Sequence, residues 1–178
     1  MALSSKVVDD LETLKAVSHP LRMQLLGALR RKGPATASEL ARELGESSGS
    51  TSYHLRQLER FGFVADDDEQ PSGRERRWKS LYDLTTFPPA LAGLDGGREY
   101  LDAVRRRQEE NLREGLELWT EPRPGIGISD YALELDPDDL EALEQDIFAA
   151  VQRYADRKGS ERVTLHVVTL PRPVGPDA

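Results

Sequence analysis

The chain has 178 residues, of which 31% are charged and 38% are hydrophobic, and its formal net charge is −8. This length suits one medium domain or two small ones. The sequence has no run of about 18 apolar residues that would predict a membrane span, and its acidic N-terminus is unlike a signal peptide. We therefore expect a cytoplasmic protein that does not contact the membrane.

Cysteine is absent, which excludes disulfides, thiolate nucleophiles and cysteine-containing metal sites. The histidines at positions 19, 54 and 166 lie far apart and lack the spacing of metal ligands. The sequence also lacks a glycine-rich phosphate loop and a paired histidine and acid. We therefore expect no metal, no cofactor, no catalytic residue and no enzymatic activity.

The negative charge is concentrated in the C-terminal half. Residues 1–100 have a formal charge of −1, whereas residues 101–178 have a formal charge of −7. Local basic patches, rather than the total charge, decide whether a surface attracts DNA. The total charge therefore does not exclude DNA binding by the N-terminal half.

Four helices are predicted in the first third of the chain. Apolar residues at helical spacing predict the first helix over residues 6–17 and the second over residues 18–32, with Pro20 in its first turn. Thr36 begins a capping-box pattern at the start of a third, short helix, which Gly45 ends. A fourth helix follows within a few residues, and this arrangement predicts a helix-turn-helix.

A β-hairpin is predicted after the helix-turn-helix. Residues 63–65 have strand composition, residues 66–69 are acidic, residues 70–73 have turn composition, and residues 74–84 predict a returning strand. A helix-turn-helix followed by a hairpin is a winged helix. The Pro- and Gly-rich residues 85–97 predict a linker.

The C-terminal half is predicted to contain a long helix and a β-α-β segment. The long helix covers residues 98–119. Alternating apolar residues predict strands at 129–135 and 163–170, on either side of a helix that Asp136 caps. The whole pattern predicts a mainly α fold with small β elements (α+β).

Residues 14–84 resemble the ArsR/SmtB-type family of winged-helix regulators in three separated pieces. The pieces are AVSHPLRMQLLGAL, ASELARELGESSGSTSYHLRQLERFGFV and GRERRWKSLYDL, in the family's order and spacing. The resemblance implies a DNA-binding fold. Metal-sensing members have cysteines in the helix-turn-helix or His/Asp clusters in the terminal helices, and this sequence has neither, so the resemblance does not imply metal sensing.

The DNA-facing surface is predicted to combine the start of the fourth helix with the wing. A recognition helix places its N-terminal residues against base edges in the major groove, and small hydroxyl side chains permit a close approach. Basic wing residues neutralise phosphates. The predicted DNA contacts are Ser48, Ser50, Thr51, Ser52, Tyr53, His54, Arg56 and Gln57 on the helix, and Arg74, Arg76, Arg77 and Lys79 on the wing.

Two alternatives remain open at this surface. The acidic residues 66–69 either pair with the wing cations in the free protein or point away from DNA. His54 either reaches a phosphate or braces the core of the helix-turn-helix.

A homodimer is predicted because a DNA-reading helix-turn-helix usually needs two copies to address two half-sites. The first helix and the long helix present an apolar seam, and the alternative is that the same residues pack within one chain. The predicted dimerisation residues are Leu11, Leu14, Leu101, Val104, Gln108, Leu112 and Leu116.

These observations predict a winged helix-turn-helix DNA-binding domain at residues 1–88 and a dimerisation and effector region at residues 89–178. We expect a sequence-specific transcriptional regulator, a repressor, that binds double-stranded DNA as a homodimer at an inverted repeat. A small-molecule effector of unidentified chemistry is a further candidate partner. The alternative function is a winged-helix protein-interaction module without direct DNA readout, which the acidic C-terminal half supports.

Overall fold

The computed structural model describes residues 3–68, 75–121, 124–155, 157 and 159–172. Its helices are α1 Leu11–Val17, α2 Pro20–Lys32, α3 Ala37–Leu44, α4 Ser48–Arg60, α5 Gly97–Glu117 and α6 Pro137–Ala155. Its strands are β1 Ser5–Val7, β2 Ala35–Thr36, β3 Val64–Asp66, β4 Arg77–Ser80 and β5 Leu84–Thr86, and a 3-10 helix covers Pro89–Gly93. The mainly α fold with small β elements is confirmed.

Local interactions fix the turn between α3 and α4. Thr36 and Glu39 form the predicted capping box: the Thr36 hydroxyl accepts a hydrogen bond from Glu39 N at 3.2 Å, and the Glu39 carboxylate accepts one from Thr36 N at 2.7 Å. Gly45 ends α3 with a φ of 70°, which glycine adopts without steric cost. Ser47 then begins α4 by accepting a hydrogen bond from Ser50 N at 3.1 Å.

The first helix begins later than its apolar spacing predicts. Ser5–Val7 forms β1, which pairs in parallel with Leu84–Thr86 of β5. The Asp10 carboxylate accepts a hydrogen bond from Thr13 N at 2.8 Å, and this cap begins α1 at Leu11. The predicted helix over residues 6–17 is therefore wrong before Leu11, because a distant strand supplies the backbone partner that periodicity does not reveal.

The predicted wing is confirmed as a three-stranded antiparallel sheet with the order β2-β4-β3. Trp78 of β4 is paired with Ala35 of β2 on one side and with Asp66 of β3 on the other. The predicted returning strand over residues 74–84 is divided, because its later part enters the separate sheet with β1. The wing is thus attached to the turn that precedes α3 as well as to the end of α4.

One hydrophobic core joins the helix-turn-helix, the wing and the residues that follow. Leu91, which is 1% exposed, lies within the predicted linker and belongs to this core, and Tyr100 and Leu101 of α5 pack against it. The remaining buried members of this core are Val8, Leu14, Val17, Leu21, Leu25, Leu26, Ala28, Leu29, Leu40, Leu55, Leu58, Phe63, Val64 and Trp78. The predicted linker therefore contains part of β5 and a 3-10 helix whose Leu91 belongs to the core, and the division into domains at residue 88 stays a prediction.

The C-terminal region contains the predicted helix but not the predicted strands. Helix α6 follows Asp136, whose carbonyl oxygen accepts a hydrogen bond from Leu140 N at 2.9 Å. The predicted strands at 129–135 and 163–170 are wrong for this structure, in which neither segment is paired as a strand. Alternating apolar residues favour a strand only where a neighbouring strand is available. Among the helices that the structure describes, none has the combined length and apolar character needed to cross a membrane.

Candidate nucleic-acid interface

Helix α4 has one face in the core and one face toward solvent. Leu55 and Leu58 are fully buried, whereas Tyr53 is 55% exposed. The other predicted contacts on this helix are exposed at Ser48 and Arg56 and half-buried at Ser50, Ser52, His54 and Gln57. This outer face is therefore polar along most of the helix.

Thr51 is the exception among the predicted DNA contacts on α4. It lies four residues before Leu55, which places it on the inner face of the helix, and it is 0% exposed. The prediction that Thr51 contacts DNA is therefore wrong. The apolar spacing with Leu55 and Leu58 is the pattern in the sequence that indicates its burial.

Replacing Thr51 with valine is expected to stabilise the protein. The Thr51 hydroxyl is buried and has no hydrogen-bond partner among the residues that the structure describes, and an unsatisfied buried polar group costs about 1–3 kcal/mol. Valine keeps the branched shape without the hydroxyl, so the free energy of unfolding in urea should rise by about 1 kcal/mol. Ser50→Ala is the control for removing a hydroxyl from the same helix, and an equal rise there would contradict the explanation.

The wing cations are paired with carboxylates. Arg76 forms an ion pair with Asp66 and donates to the Glu59 carboxylate at 2.5 Å, and Lys79 forms an ion pair with Asp68. The guanidinium of Arg77 lies 3.5 Å from the Asp67 carboxylate and donates to the carbonyl oxygen of Pro34 at 2.5 Å. Of the two alternatives for the acidic run, the described part of the chain shows pairing with the wing.

This pairing removes the positive patch that the wing sequence predicts. The hydrogen bond to Asp66 is the largest cause of the raised pKa of Arg76, and the hydrogen bond to Glu59 is the next largest. The same hydrogen bond from Arg76 lowers the pKa of Asp66. In this cluster the acids Asp66–Asp68 and Glu59 outnumber the cations Arg76, Arg77 and Lys79. The remaining predicted wing contact, Arg74, lies outside the described residues. Sequence reasoning missed Glu59 as a site residue, because its partner Arg76 lies in the wing, far from Glu59 along the chain.

A groove of about 220 Å³ brings the helix and the wing together. Ser52 and Arg56 line it from α4, one turn apart, and Arg76 and Trp78 line it from the wing. The Arg76 guanidinium lies over the Trp78 ring, 3.8 Å from its centroid. The groove therefore combines hydroxyl, guanidinium and aromatic groups at the junction of α4 and β4.

Two histidines connect α4 to the start of α2. The rings of His19 and His54 are 4.4 Å apart between centroids, and the Tyr53 ring meets His54 edge-on at 5.1 Å. His19 Nδ1 accepts a hydrogen bond from Leu21 N at 3.2 Å, which caps α2. Burial is the largest cause of the lowered pKa of both histidines, and the nearby Arg22 adds to the effect. The lowered pKa favours the neutral form of both rings, and their packing favours the bracing role for His54.

Some of the predicted dimerisation residues are buried within the chain, and others are exposed. Leu14 is fully buried and Val104 is 8% exposed within the chain itself, so their burial needs no second copy. Leu11 and Leu101 also pack against the core. Farther along α5, Gln108 is exposed, Leu112 is half-buried and Leu116 is 40% exposed.

Comparisons with known proteins agree with the helix-turn-helix. Residues 17–66 match a family model described as a helix-turn-helix domain, and this range runs from the last residue of α1 to the end of β3. None of the curated protein sequences matches the chain. The match agrees with the observed geometry of α3 and α4, and the chain has a winged helix-turn-helix fold.

Several solved structures overlap parts of the chain. An ArsR family transcriptional regulator is 29% identical, over 64% of this chain and 100% of that one, with a TM-score of 0.35. The homodimeric winged helix-turn-helix DNA-binding domain of a possible ArsR-family regulator from Mycobacterium bovis is 19% identical, over 58% and 82%, with a TM-score of 0.37. The Zalpha domain of Carassius auratus PKZ in complex with Z-DNA is 23% identical, over 36% and 98%, with a TM-score of 0.32. With TM-scores this low, these overlaps add nothing to the fold that the helices and strands define.

Proposed function

We propose that the protein is a transcriptional regulator of ArsR-like type that binds duplex DNA through α4 and the wing. The observation that carries this proposal is the polar outer face of α4, where Tyr53 and Arg56 are exposed. Arg56 also lines the groove, together with Ser52 and Arg76. A recognition helix needs such a face to reach base edges in the major groove. The helix-turn-helix match over residues 17–66 supports the same surface.

The paired wing is compatible with DNA binding because its ion pairs are on the surface. An exposed ion pair contributes about 0–1 kcal/mol, and the side chains of Arg76 and Asp66 are 39% and 56% exposed. A DNA phosphate can therefore replace a carboxylate at little cost. The wing would supply less net attraction than its sequence of basic residues indicates, since the displaced acids stay close by.

Removing the charge of Arg56 tests the DNA-binding surface. We expect Arg56→Gln to weaken binding to a promoter duplex by about tenfold or more, since a good side-chain contact to a base is worth about 1–3 kcal/mol. Tyr53→Ala should change the ranking of duplexes of different sequence. Fluorescence anisotropy with duplexes selected from genomic fragments measures both effects.

Arg153→Gln is the matched control, because it removes the same charge from the exposed surface of α6. Equal affinities for Arg56→Gln, Arg153→Gln and the unaltered protein would exclude Arg56 from the interface. If the unaltered protein retains no duplex at moderate salt, the function itself is wrong.

We further propose that the regulator is a homodimeric repressor on an inverted repeat, with α5 in the interface. Support comes from the half-buried Leu112 and the exposed Leu116, and from apolar residues beyond α5 that are also exposed, such as Tyr131 at 81% and Val163 at 66%. Contact with a second copy would bury this apolar surface, and large exposed apolar patches mark protein–protein interfaces. In this proposal, residues 89–178 form the dimerisation and effector region.

The double variant Leu112→Lys/Leu116→Lys tests the seam. Two lysines on this face should prevent association, so sedimentation should show the mass of one chain, 19.9 kDa, in place of two. Glu117→Lys is the control, because it changes the charge by the same amount beside the seam. Dimers of unchanged stability in the double variant would remove α5 from the interface.

The second candidate function is a protein-interaction module. The acids that neutralise the wing and the −7 charge of residues 101–178 favour it. It predicts no retention of duplex DNA at moderate salt and a binding partner that remains with the protein during purification. The DNA-binding experiment above therefore separates the two functions.

A further inference from the structure

A second cationic surface lies at the elbow between α1 and α2. A pocket of about 350 Å³ opens there toward α5. Lys15, His19 and Arg22 line it from the elbow, and Tyr100 and Arg106 line it from α5. This pocket is separate from the groove between α4 and the wing.

The cations of the pocket are less neutralised than those of the wing. The Arg22 guanidinium donates to the carbonyl oxygen of Lys15 at 3.1 Å, while its Nε is buried without a hydrogen-bond partner among the described residues. Lys15 Nζ lies 5.6 Å from the centroid of the Tyr100 ring. Glu99 is the acidic residue in the lining, against the cations Lys15, Arg22 and Arg106. The lining therefore carries a net positive charge with the histidine neutral.

The pocket lies next to the recognition helix. His19, which lines the pocket, contacts His54 of α4, with the two ring centroids 4.4 Å apart. Burial is the largest cause of the lowered pKa of Arg22, and an electrostatic interaction with Tyr53 of α4 raises it. Glu46, in the turn between α3 and α4, is the acid that acts on both histidines.

The form of the pocket favours a phosphate over an organic ligand. Sites for small organic ligands are mostly apolar and enclose the ligand, whereas this pocket is open to solvent and is lined mainly by polar and charged side chains. DNA-binding proteins neutralise several phosphates with lysine and arginine. Because carboxylates pair with the wing cations, the wing is expected to neutralise fewer phosphates than its basic residues alone would.

We propose that this elbow pocket binds a phosphate of the DNA backbone beside the recognition helix, through Lys15, Arg22 and Arg106. The proposal rests on the proposed function, because it needs duplex DNA on α4. It makes the elbow, together with α5, an electrostatic anchor of the complex. The contact positions the protein on the duplex and carries no sequence information.

The double variant Lys15→Gln/Arg106→Gln tests the anchor, since both side chains are exposed and their replacement should leave the fold intact. The affinity for duplex DNA should fall by about tenfold per protomer at low salt, because hydrogen bonds to charged groups are stronger than hydrogen bonds between neutral groups. The fall should be similar for selected and unrelated duplexes. A plot of log affinity against log salt concentration should also become shallower by about one per protomer. The control, Lys32→Gln/Arg105→Gln, removes the same charge outside the pocket.

The outcomes separate this proposal from the proposed function. If the unaltered protein does not bind DNA, the proposed function fails first. If it binds DNA and the double variant keeps the same salt slope, the elbow anchor alone is overturned. In that case inorganic phosphate, titrated at constant ionic strength while the His19 ring is followed by NMR, identifies the source of the anion. A saturable shift that the double variant lacks would then assign the pocket to a free oxyanion.

Discussion

Alanine at position 97 is expected to destabilise the protein, although alanine normally favours a helix over glycine. Gly97 is buried at the start of α5, and a Cβ added there would overlap the carbonyl oxygen of Leu91 and lie 3.3 Å from the Leu94 Cβ. The backbone of the preceding 3-10 helix must move to make room. Overpacking of this kind costs about 1–3 kcal/mol and occasionally more, and contact with backbone places this variant at the upper end.

The same substitution at Gly115 is the control, since it lies in the same helix. Among the described residues, the nearest atom to a Cβ there is His166 Nε2 at 3.9 Å, so Gly115→Ala should raise the free energy of unfolding by up to about 1 kcal/mol. Urea titrations of both variants should give shifts of opposite sign. If Gly97→Ala is neutral or stabilising, the close packing of α5 against Leu91 is wrong.

Removing the Trp78 side chain is expected to destabilise the fold and weaken DNA binding together. Trp78 is 2% exposed, belongs to the core and lies beneath the Arg76 guanidinium. Replacement of a buried large aromatic residue by alanine costs about 3–5 kcal/mol. Since Trp78 lies in the central strand of the wing sheet, its loss should also move Arg76 away from α4 and reduce affinity for duplex DNA.

Trp119→Ala is the matched control. Trp119 is 37% exposed and follows the end of α5, so its removal should cost much less stability and leave the wing unchanged. Near-UV circular dichroism and urea unfolding measure the stability difference, and anisotropy measures the binding of the folded variants. Equal losses from the two tryptophans would show that Trp78 does not hold the wing.

The helix-turn-helix could be predicted from the sequence because its determinants are local. The capping box at Thr36 and Glu39, the glycine at 45 and the proline at 20 act within a few residues of themselves. The structure places each of them as the sequence predicts. The burial of Thr51 follows from its helical spacing with Leu55 and Leu58. The prediction that it faces DNA rests only on its polar side chain.

The features that sequence reasoning missed depend on residues far apart in the chain. The wing sequence predicts a positive patch because its cations lie close together in the chain, whereas Glu59, which accepts hydrogen bonds from Arg76, lies on α4, before the hairpin. Helical spacing extended α1 through residues 6–10, since nothing local indicates that Leu84–Thr86 would pair with β1. The segments at 129–135 and 163–170 fail for a related reason. Their alternating apolar residues favour strands, but in the described chain no neighbouring strand pairs with them.

The parallel pairing of β1 with β5 has a consequence for the synthesis of the protein. Ser5 leaves the ribosome before its partner Leu84, which emerges only after the whole helix-turn-helix and wing. The Ser4 hydroxyl donates a hydrogen bond to the Asp83 carboxylate and accepts one from Asp83 N, and these bonds also require the later residues to be synthesised first. Pairings that are this distant in sequence form late, because the chain between them must first be ordered. Strand β1 of a nascent chain therefore stays unpaired until the helix-turn-helix and the wing have been synthesised, and its pairing with β5 completes this part of the fold last.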